Sequence, residues 1–320
     1  MIATALTEMF GLEQPIVLAP MGSVAGGSLA AAVSNAGGLG LIGGGYGDPA
    51  FLRAELARVR EATQRPWGVG FITWSMRPET LALALEARPQ AVMLSFGDPR
   101  PHVEAIKAAG CKLICQVQDV HDALAAREAG ADLIVAQGTE AGGHGATRAT
   151  LPLVPAVVDA VAPLPVVAAG GIADGRGLAA ALMLGAQGAL IGTRFYAATE
   201  SLASAEAKAR IVAAEARQTE RTRAFDVVRG YDWPSPYTGR ALRNAFTARW
   251  QGREEALAAA LASERPRYWR AAQDGDHDTA VVWAGEAVDL IERVVDAAAI
   301  VAELGDDAAR RLRAGAACLR

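Results

Sequence analysis

Leu133-Ile134-Val135-Ala136-Gln137-Gly138-Thr139-Glu140-Ala141-Gly142-Gly143-His144-Gly145 is the stretch that decides the fold. It opens on a continuous apolar run, as a parallel strand covered on both faces requires. Gln137 ends the run, and a glycine-rich turn with one histidine follows. Glycine lets backbone approach a ligand closely, and histidine is the side chain best suited to move a proton near neutral pH. Taken alone, turn glycines with an incidental surface histidine explain the loop equally well. The rest of the chain separates the two readings.

Similar apolar runs recur along the chain, each followed by a helical stretch. Candidate strands are Ile16–Ala19, Leu39–Ile42, Gly68–Ile72, Ala91–Leu94, Leu113–Val117, Leu133–Ala136, Val166–Ala169 and Ala189–Ile191. Helical patterns fall at Pro49–Thr63, Pro78–Ala87, Val120–Ala129 and Gly175–Leu184. Eight such units over roughly 190 residues fit an α/β fold of the (β/α)8 TIM-barrel type. A doubly wound open sheet is the competing architecture, but the first strand–helix turn lacks a dinucleotide fingerprint.

Ser95, Gln116 and Gln137 stand 21 residues apart, and each ends a strand. Three successive units thus place a polar side chain at the strand C-termini, where barrel enzymes build their sites. The seventh strand starts 33 residues after the sixth, and the surplus is the segment 138–150. An insertion on that face carrying a histidine reads as a functional loop. After Thr199 the pattern changes. Residues 1–200 read as the barrel and 201–320 as a helical substrate or lid subdomain whose later part returns to the barrel. Its helices are expected at Ser201–Gln218, Arg253–Ala262 and Gly285–Leu304, with a Pro- and aromatic-rich loop at Gly230–Gly239. Trp233, Tyr237, Trp250 and Trp269 are candidates for a lid or for packing between the two parts.

Composition bounds the function. The chain has 320 residues, 52% hydrophobic and 6% aromatic, with a formal charge of -4 and no basic stripe, which argues against a nucleic-acid partner. The only lysines are Lys107, Lys112 and Lys208, none beside the glycine-rich loop, so a Schiff-base mechanism has little support. Cys111, Cys115 and Cys318 fit no zinc or redox spacing. No apolar run reaches membrane-spanning length, and the acidic N-terminus does not read as a signal peptide. A cytoplasmic protein without metal is expected.

Two further glycine turns end the seventh and eighth strands: Ala168-Ala169-Gly170-Gly171-Ile172 and Ile191-Gly192-Thr193-Arg194. Barrels commonly hold a ligand phosphate there through backbone N–H groups, which a Cβ would obstruct. Ala19-Pro20-Met21-Gly22 and Asn35-Ala36-Gly37-Gly38-Leu39-Gly40 supply small residues against which a flat ring could lie. Together they suggest a ligand spanning the barrel mouth, such as flavin mononucleotide (FMN).

These segments, with Pro15–Met21, Ala141-Gly142-Gly143-His144 and Gly192-Thr193-Arg194-Phe195, resemble the nitronate monooxygenase family, formerly the 2-nitropropane dioxygenases. The resemblance covers roughly Ile2 to Ser201 well and the rest loosely. The same turns occur in flavin enoyl-[acyl-carrier-protein] reductases and NADH:quinone reductases. The resemblance implies that Gly170, Gly171, Gly192 and Thr193 hold the FMN phosphate. It implies that Ala19, Met21 and Gly22 line the isoalloxazine, that Gln116 sits near the pyrimidine, and that Gln137 and Gly142 frame the cofactor. His144 matches the family's active-site histidine.

Two positions depart from the pattern: Gly70 where relatives often have Asn, and Glu286 where they have Gln. The implied activity is oxidation of alkyl nitronates with O2 to a carbonyl compound and nitrite. The alternatives are an NAD(P)H-dependent FMN reductase of the quinone or enoyl type and a non-catalytic phosphate-binding barrel. No nicotinamide surface is identifiable, since Arg240, Arg243 and Arg249 read as solvated surface. His102 and His121 read as surface or capping residues, and His277 as part of a solvated acidic turn.

Overall fold

The computed structural model describes residues 2–318. Its strands are β1 (Ile16–Leu18), β2 (Gly40–Gly45), β3 (Trp67–Ile72), β4 (Ala91–Ser95), β5 (Lys112–Val117), β6 (Leu133–Gln137), β7 (Gly143–Gly145), β8 (Val166–Ala169), β9 (Ala189–Ile191), β10 (Thr219–Thr222) and β11 (Thr238–Leu242). Eight of them form one parallel sheet in the order β1-β9-β8-β6-β5-β4-β3-β2. A parallel bridge between Val17 and Leu39 joins its first and last members. The fold is therefore the expected (β/α)8 barrel, and the short β7 stands outside its wall. The second strand runs three residues beyond its expected end. The added Gly43–Gly45 carry no side chains from which a strand could be read.

Parity along the strands explains the polar rungs. On β4, Ala91 and Met93 join the interior cluster of the barrel, while Val92 and Leu94 pack outward against helices. On β6, Leu133 and Val135 point in, and Ile134 and Ala136 out. Side chains alternate with a period of two, so Ser95, Gln116 and Gln137 continue the inward rows and cap the core at the strands' C-terminal ends. At the opposite end the helix Ala5–Phe10 closes the barrel. Leu6, Phe10 and Leu12 belong to the interior cluster, and Thr4 Oγ1 donates to the carbonyl of Gln187 at 2.7 Å.

The outer helices start where short acceptors precede them. Asp48, Asp119, Asp174 and Asp296 each accept from backbone N–H groups of the first turn that would otherwise lack a partner. The helix Ala297–Ala316 returns to the barrel and packs along Gly175–Met183, where Gly175 has no room for a Cβ against Asp307 and Ala308.

Residues 201–318 are less helical than expected. β10 and β11 pair antiparallel, and β11 also pairs with β7, giving a three-stranded sheet that captures the histidine loop. Thr219-Glu220-Arg221-Thr222 has no apolar alternation to announce a strand, and its pairing depends on partners outside the segment. The stretch Ser201–Gln218 keeps only the helix Ala205–Ala213 and a 3-10 turn at Ala216–Gln218. The other two expected helices become Glu254–Ala259 with Leu261–Asp274, and a 3-10 turn Glu286–Leu290 followed by Ala297–Ala316.

Helix Gly27–Asn35 lies so close to β2 that a Cβ on Gly40 would sit 1.9 Å from the carbonyl oxygen of Ala30. Both are backbone-anchored, so Gly40→Ala is expected to cost about 1–3 kcal/mol or more by forcing helix and sheet apart. A thermal melt beside the wild type at equal protein concentration measures it. An unchanged midpoint would show that the helix gives way freely.

Candidate active site

All eleven residues singled out from the sequence line one cavity of about 470 Å³ at the C-terminal end of the barrel: Ala19, Met21, Gly22, Gln116, Gln137, Gly142, His144, Gly170, Gly171, Gly192 and Thr193. Such a volume suits a small cofactor and substrate.

One wall of the cavity carries free donors. Among the described residues, the N–H groups of Gly171, Gly192 and Thr193 donate to no protein acceptor. Gly170 and Gly171 hold φ of +104° and +71°, the left-handed region that glycine enters without strain. The Thr193 hydroxyl accepts from the N–H of Gly285 at 2.9 Å, which leaves its hydrogen to donate elsewhere. This wall can hold a phosphate.

On the adjoining wall, three glutamines form a chain whose direction is fixed. Gln137 donates through Nε2 to the carbonyl of His144 at 3.1 Å. A carbonyl can only accept, so the Gln137 Oε1 must face the other way. It receives Gln116 Nε2 at 3.2 Å and Gln118 Nε2 at 2.8 Å. Gln116, whose amide nitrogen is thus engaged, keeps its Oε1 as an acceptor for a ligand in the cavity it lines. Gln118 is buried behind the cavity lining, two residues past the strand-end position, where no sequence pattern marks it.

His144 stands on β7. Its Nε2 lies 2.9 and 3.0 Å from the two oxygens of Asp226, a residue of the helix Ala224–Arg229 that no local sequence pattern marks. Both side chains are nearly closed to solvent, at 8% and 3% exposure. The imidazole stacks on Trp233, with ring centroids 3.5 Å apart and planes 6° from parallel, and meets Trp283 at 5.1 Å. Burial lowers the affinity of His144 for a second proton, against the opposite pull of the Asp226 hydrogen bond and charge. Arg229 and Arg221 add to the lowering. The ring is therefore neutral near pH 7, with Nε2–H donating to Asp226 and Nδ1 unprotonated. Nδ1 has no hydrogen-bond partner among the described residues.

The histidine loop is held by two arginines. Arg221 donates to the Thr139 carbonyl at 2.9 Å, to Thr139 Oγ1 at 3.0 Å and to the Gly145 carbonyl at 3.2 Å. Arg240 donates to the same Thr139 carbonyl at 3.0 Å and pairs with Glu286 at 2.8 Å. Arg240 is thus buried and structural, not the solvated residue expected. Arg243 and Arg249 do lie at the surface, paired with Glu220 and Glu264. Glu286, one of the two departures, balances Arg240. The other, Gly70, lines the cavity, and a Cβ there would meet the Pro20 ring at 2.3 Å.

Of the four aromatic candidates, Trp233 and Trp269 line the cavity. Tyr237 packs on Phe96 and Trp233, and Trp250 belongs to a separate cluster with Phe225 and Tyr268. Tyr46, which follows β2, was not anticipated. It stacks on Tyr231 at 3.7 Å and shares a hydrogen bond with Trp233 Nε1 at 2.9 Å. β2 and β6 face each other across the barrel, so these contacts span its mouth. His102, His121 and His277 lie outside the cavity lining. Cys111 and Cys115 are buried and Cys318 is exposed.

Comparison with known proteins agrees with this geometry. The family model for nitronate monooxygenase matches residues 3–76 and 72–307. A nitronate monooxygenase of Neurospora crassa is 36% identical over 94% of this chain and 91% of its own length. Among solved structures, FabK from Thermotoga maritima superposes with a TM-score of 0.90 at 32% identity, covering all of both chains. Nitroalkane oxidase from Streptomyces ansochromogenes superposes with a TM-score of 0.84 at 31% identity, covering 98% of this chain and all of the other. With a family model across nearly its whole length and a relative of this identity, the chain belongs to the nitronate monooxygenase family and is a flavin-dependent oxidoreductase.

Proposed function

We propose that this protein is an FMN-dependent nitronate monooxygenase that oxidises alkyl nitronates with O2 to a carbonyl compound and nitrite. The observation that carries the reading is His144, buried and anchored at Nε2 by Asp226, in a cavity that also presents free phosphate donors. FMN fits the residues present. The N–H groups of Gly171, Gly192 and Thr193 suit its phosphate, Ala19, Met21 and Gly22 suit its ring, and the free Gln116 Oε1 suits a ring N–H. Gly170 supplies the turn, and Gln137 and Gly142 frame the space. When bound, the flavin supplies the redox chemistry. We read residues 201–320 as the part that supplies the lid over this site.

The protein's own task is positioning and proton control. With a neutral nitroalkane, Nδ1 of His144 takes the α-proton, and Asp226 stabilises the imidazolium that results. With a nitronate, which is already deprotonated, no base is needed, and His144 helps only when it carries a proton to donate. Trp233 holds the ring plane in both cases.

His144→Asn should retain FMN and lose roughly 10²–10⁴ in turnover of neutral nitroalkanes. Flavin content by absorbance and a nitrite assay test this, and unchanged turnover would refute the role. Because the folded pKa of His144 lies below the ordinary value of about 6.5, nitroalkane turnover should hold its plateau down through that pH and fall only at lower pH. A limb centred above 6.5 would contradict the neutral assignment. In an anaerobic spectrum, an alkyl nitronate should bleach the flavin and NADH or NADPH should not. Bleaching by reduced nicotinamide alone would replace this activity with a reductase.

A further inference from the structure

Arg229 ends the helix Ala224–Arg229, one turn after Asp226, and it lines the cavity. Its guanidinium carbon lies 4.7 Å from the Tyr231 ring centre, 5.8 Å from that of Tyr46 and 5.9 Å from that of Trp283. Trp283 also contacts His144. No carboxylate pairs with the Arg229 guanidinium, and that group makes no hydrogen bond, among the described residues. The nearest acid along its helix, Asp226, directs both oxygens at His144. Among the residues lining the cavity, Arg229 is the single arginine, and no lysine is present.

Aromatic faces attract a guanidinium without neutralising it. Guanidinium N–H groups that make no hydrogen bond within the protein stay available to an oxyanion. The neutral His144 adds to the need for this cation, because its Nε2–H is committed to Asp226 and its Nδ1 cannot donate. A small anion entering the cavity finds no positive charge on the histidine.

We propose that Arg229 is the anion-binding residue of the cavity, receiving the charged oxygens of a small oxyanion through its free N–H edge. Taking the nitronate as that anion rests on the function proposed above; the anion site itself does not. In that reaction Arg229 binds the nitro oxygens of the substrate and the nitrite that leaves. The Tyr46–Tyr231 stack fixes its position from the far side of the barrel mouth.

Calorimetric titration of the oxidised, FMN-containing protein with sodium nitrite, at constant ionic strength, tests the site without turnover. Arg229→Met should weaken nitrite binding tenfold or more, with flavin content and melting midpoint close to wild type, and Arg229→Lys should restore part of the affinity. The KM for an alkyl nitronate should rise in parallel in Arg229→Met. Equal nitrite affinity in Arg229→Met and wild type would overturn the proposal, as would a loss that a folded, flavin-containing Arg229→Lys does not restore in any part. If nitrite binding depends on Arg229 while no nitronate is oxidised, the anion site stands and the monooxygenase reading fails.

Discussion

The carbonyl of Thr139 receives two guanidinium groups, Arg240 buried and Arg221 half-buried, and the rest of the site depends on that convergence. The loop from Gly138 to Gly145 holds four glycines and would be loose if left alone. Arg221 and Arg240 reach it from neighbouring strands and tie it at Thr139, Gly145 and, through Glu286, to the segment that returns from the C-terminus. Burying a guanidinium is expensive, and burial, with the charge of Arg240 beside it, lowers Arg221 to about 10. It remains charged at neutral pH, and several carbonyl acceptors offset the lost water. Arginine suits the task because its planar fork meets several acceptors in fixed directions.

From that anchorage the polarity of the site follows. A strand from the C-terminal half pairs with β7, so the position of His144 is a property of the three-stranded sheet. The sheet faces the imidazole toward Asp226 and against Trp233, and the His144 carbonyl fixes the direction of the glutamine chain. A single backbone position thus sets a neutral imidazole on one side and an amide acceptor on the other. The aromatic bridge from Tyr46 through Tyr231 and Trp233 shields this arrangement from water, and burial pushes the Tyr46 hydroxyl up to about 12. Within such an enclosure the charges of Arg229 and Asp226 are screened less than they would be in water.

The barrel and the segment after Thr199 are interdependent. Gly285 and Glu286 donate their N–H groups to Thr193 Oγ1 and the Glu140 carbonyl, joining the C-terminal return to both glycine-rich turns. A Cβ on Gly142 would collide with Ala284, and one on Gly285 with the Glu140 carbonyl. Small residues at these points are required by close approach between two parts of the chain, so a side chain at either one would disturb the wall of free N–H donors and the histidine loop together.

The sequence by itself determined the barrel, its eight strands and the eleven cavity residues, because that information is local. A parallel strand buried on both faces must be apolar throughout, the residue that ends it at the mouth is free to be polar, and turns that approach a ligand need glycine. Gln116 and Gln137 were legible for that reason. The glycine run Gly43–Gly45 and the polar β10 carry no such signal. Only the tertiary structure decided what His144 is. Asp226 and Trp233 reach it from 82 and 89 residues away; Asp226 is not marked by its neighbours in the chain, and the aromatic-rich loop that marks Trp233 does not say which group it stacks on. The same holds for Arg240, which reads as solvated surface until the Thr139 carbonyl and Glu286 are placed beside it. Charge state, ring orientation and anion contact depend on distances between groups that share no local pattern, and folding alone brings those groups together.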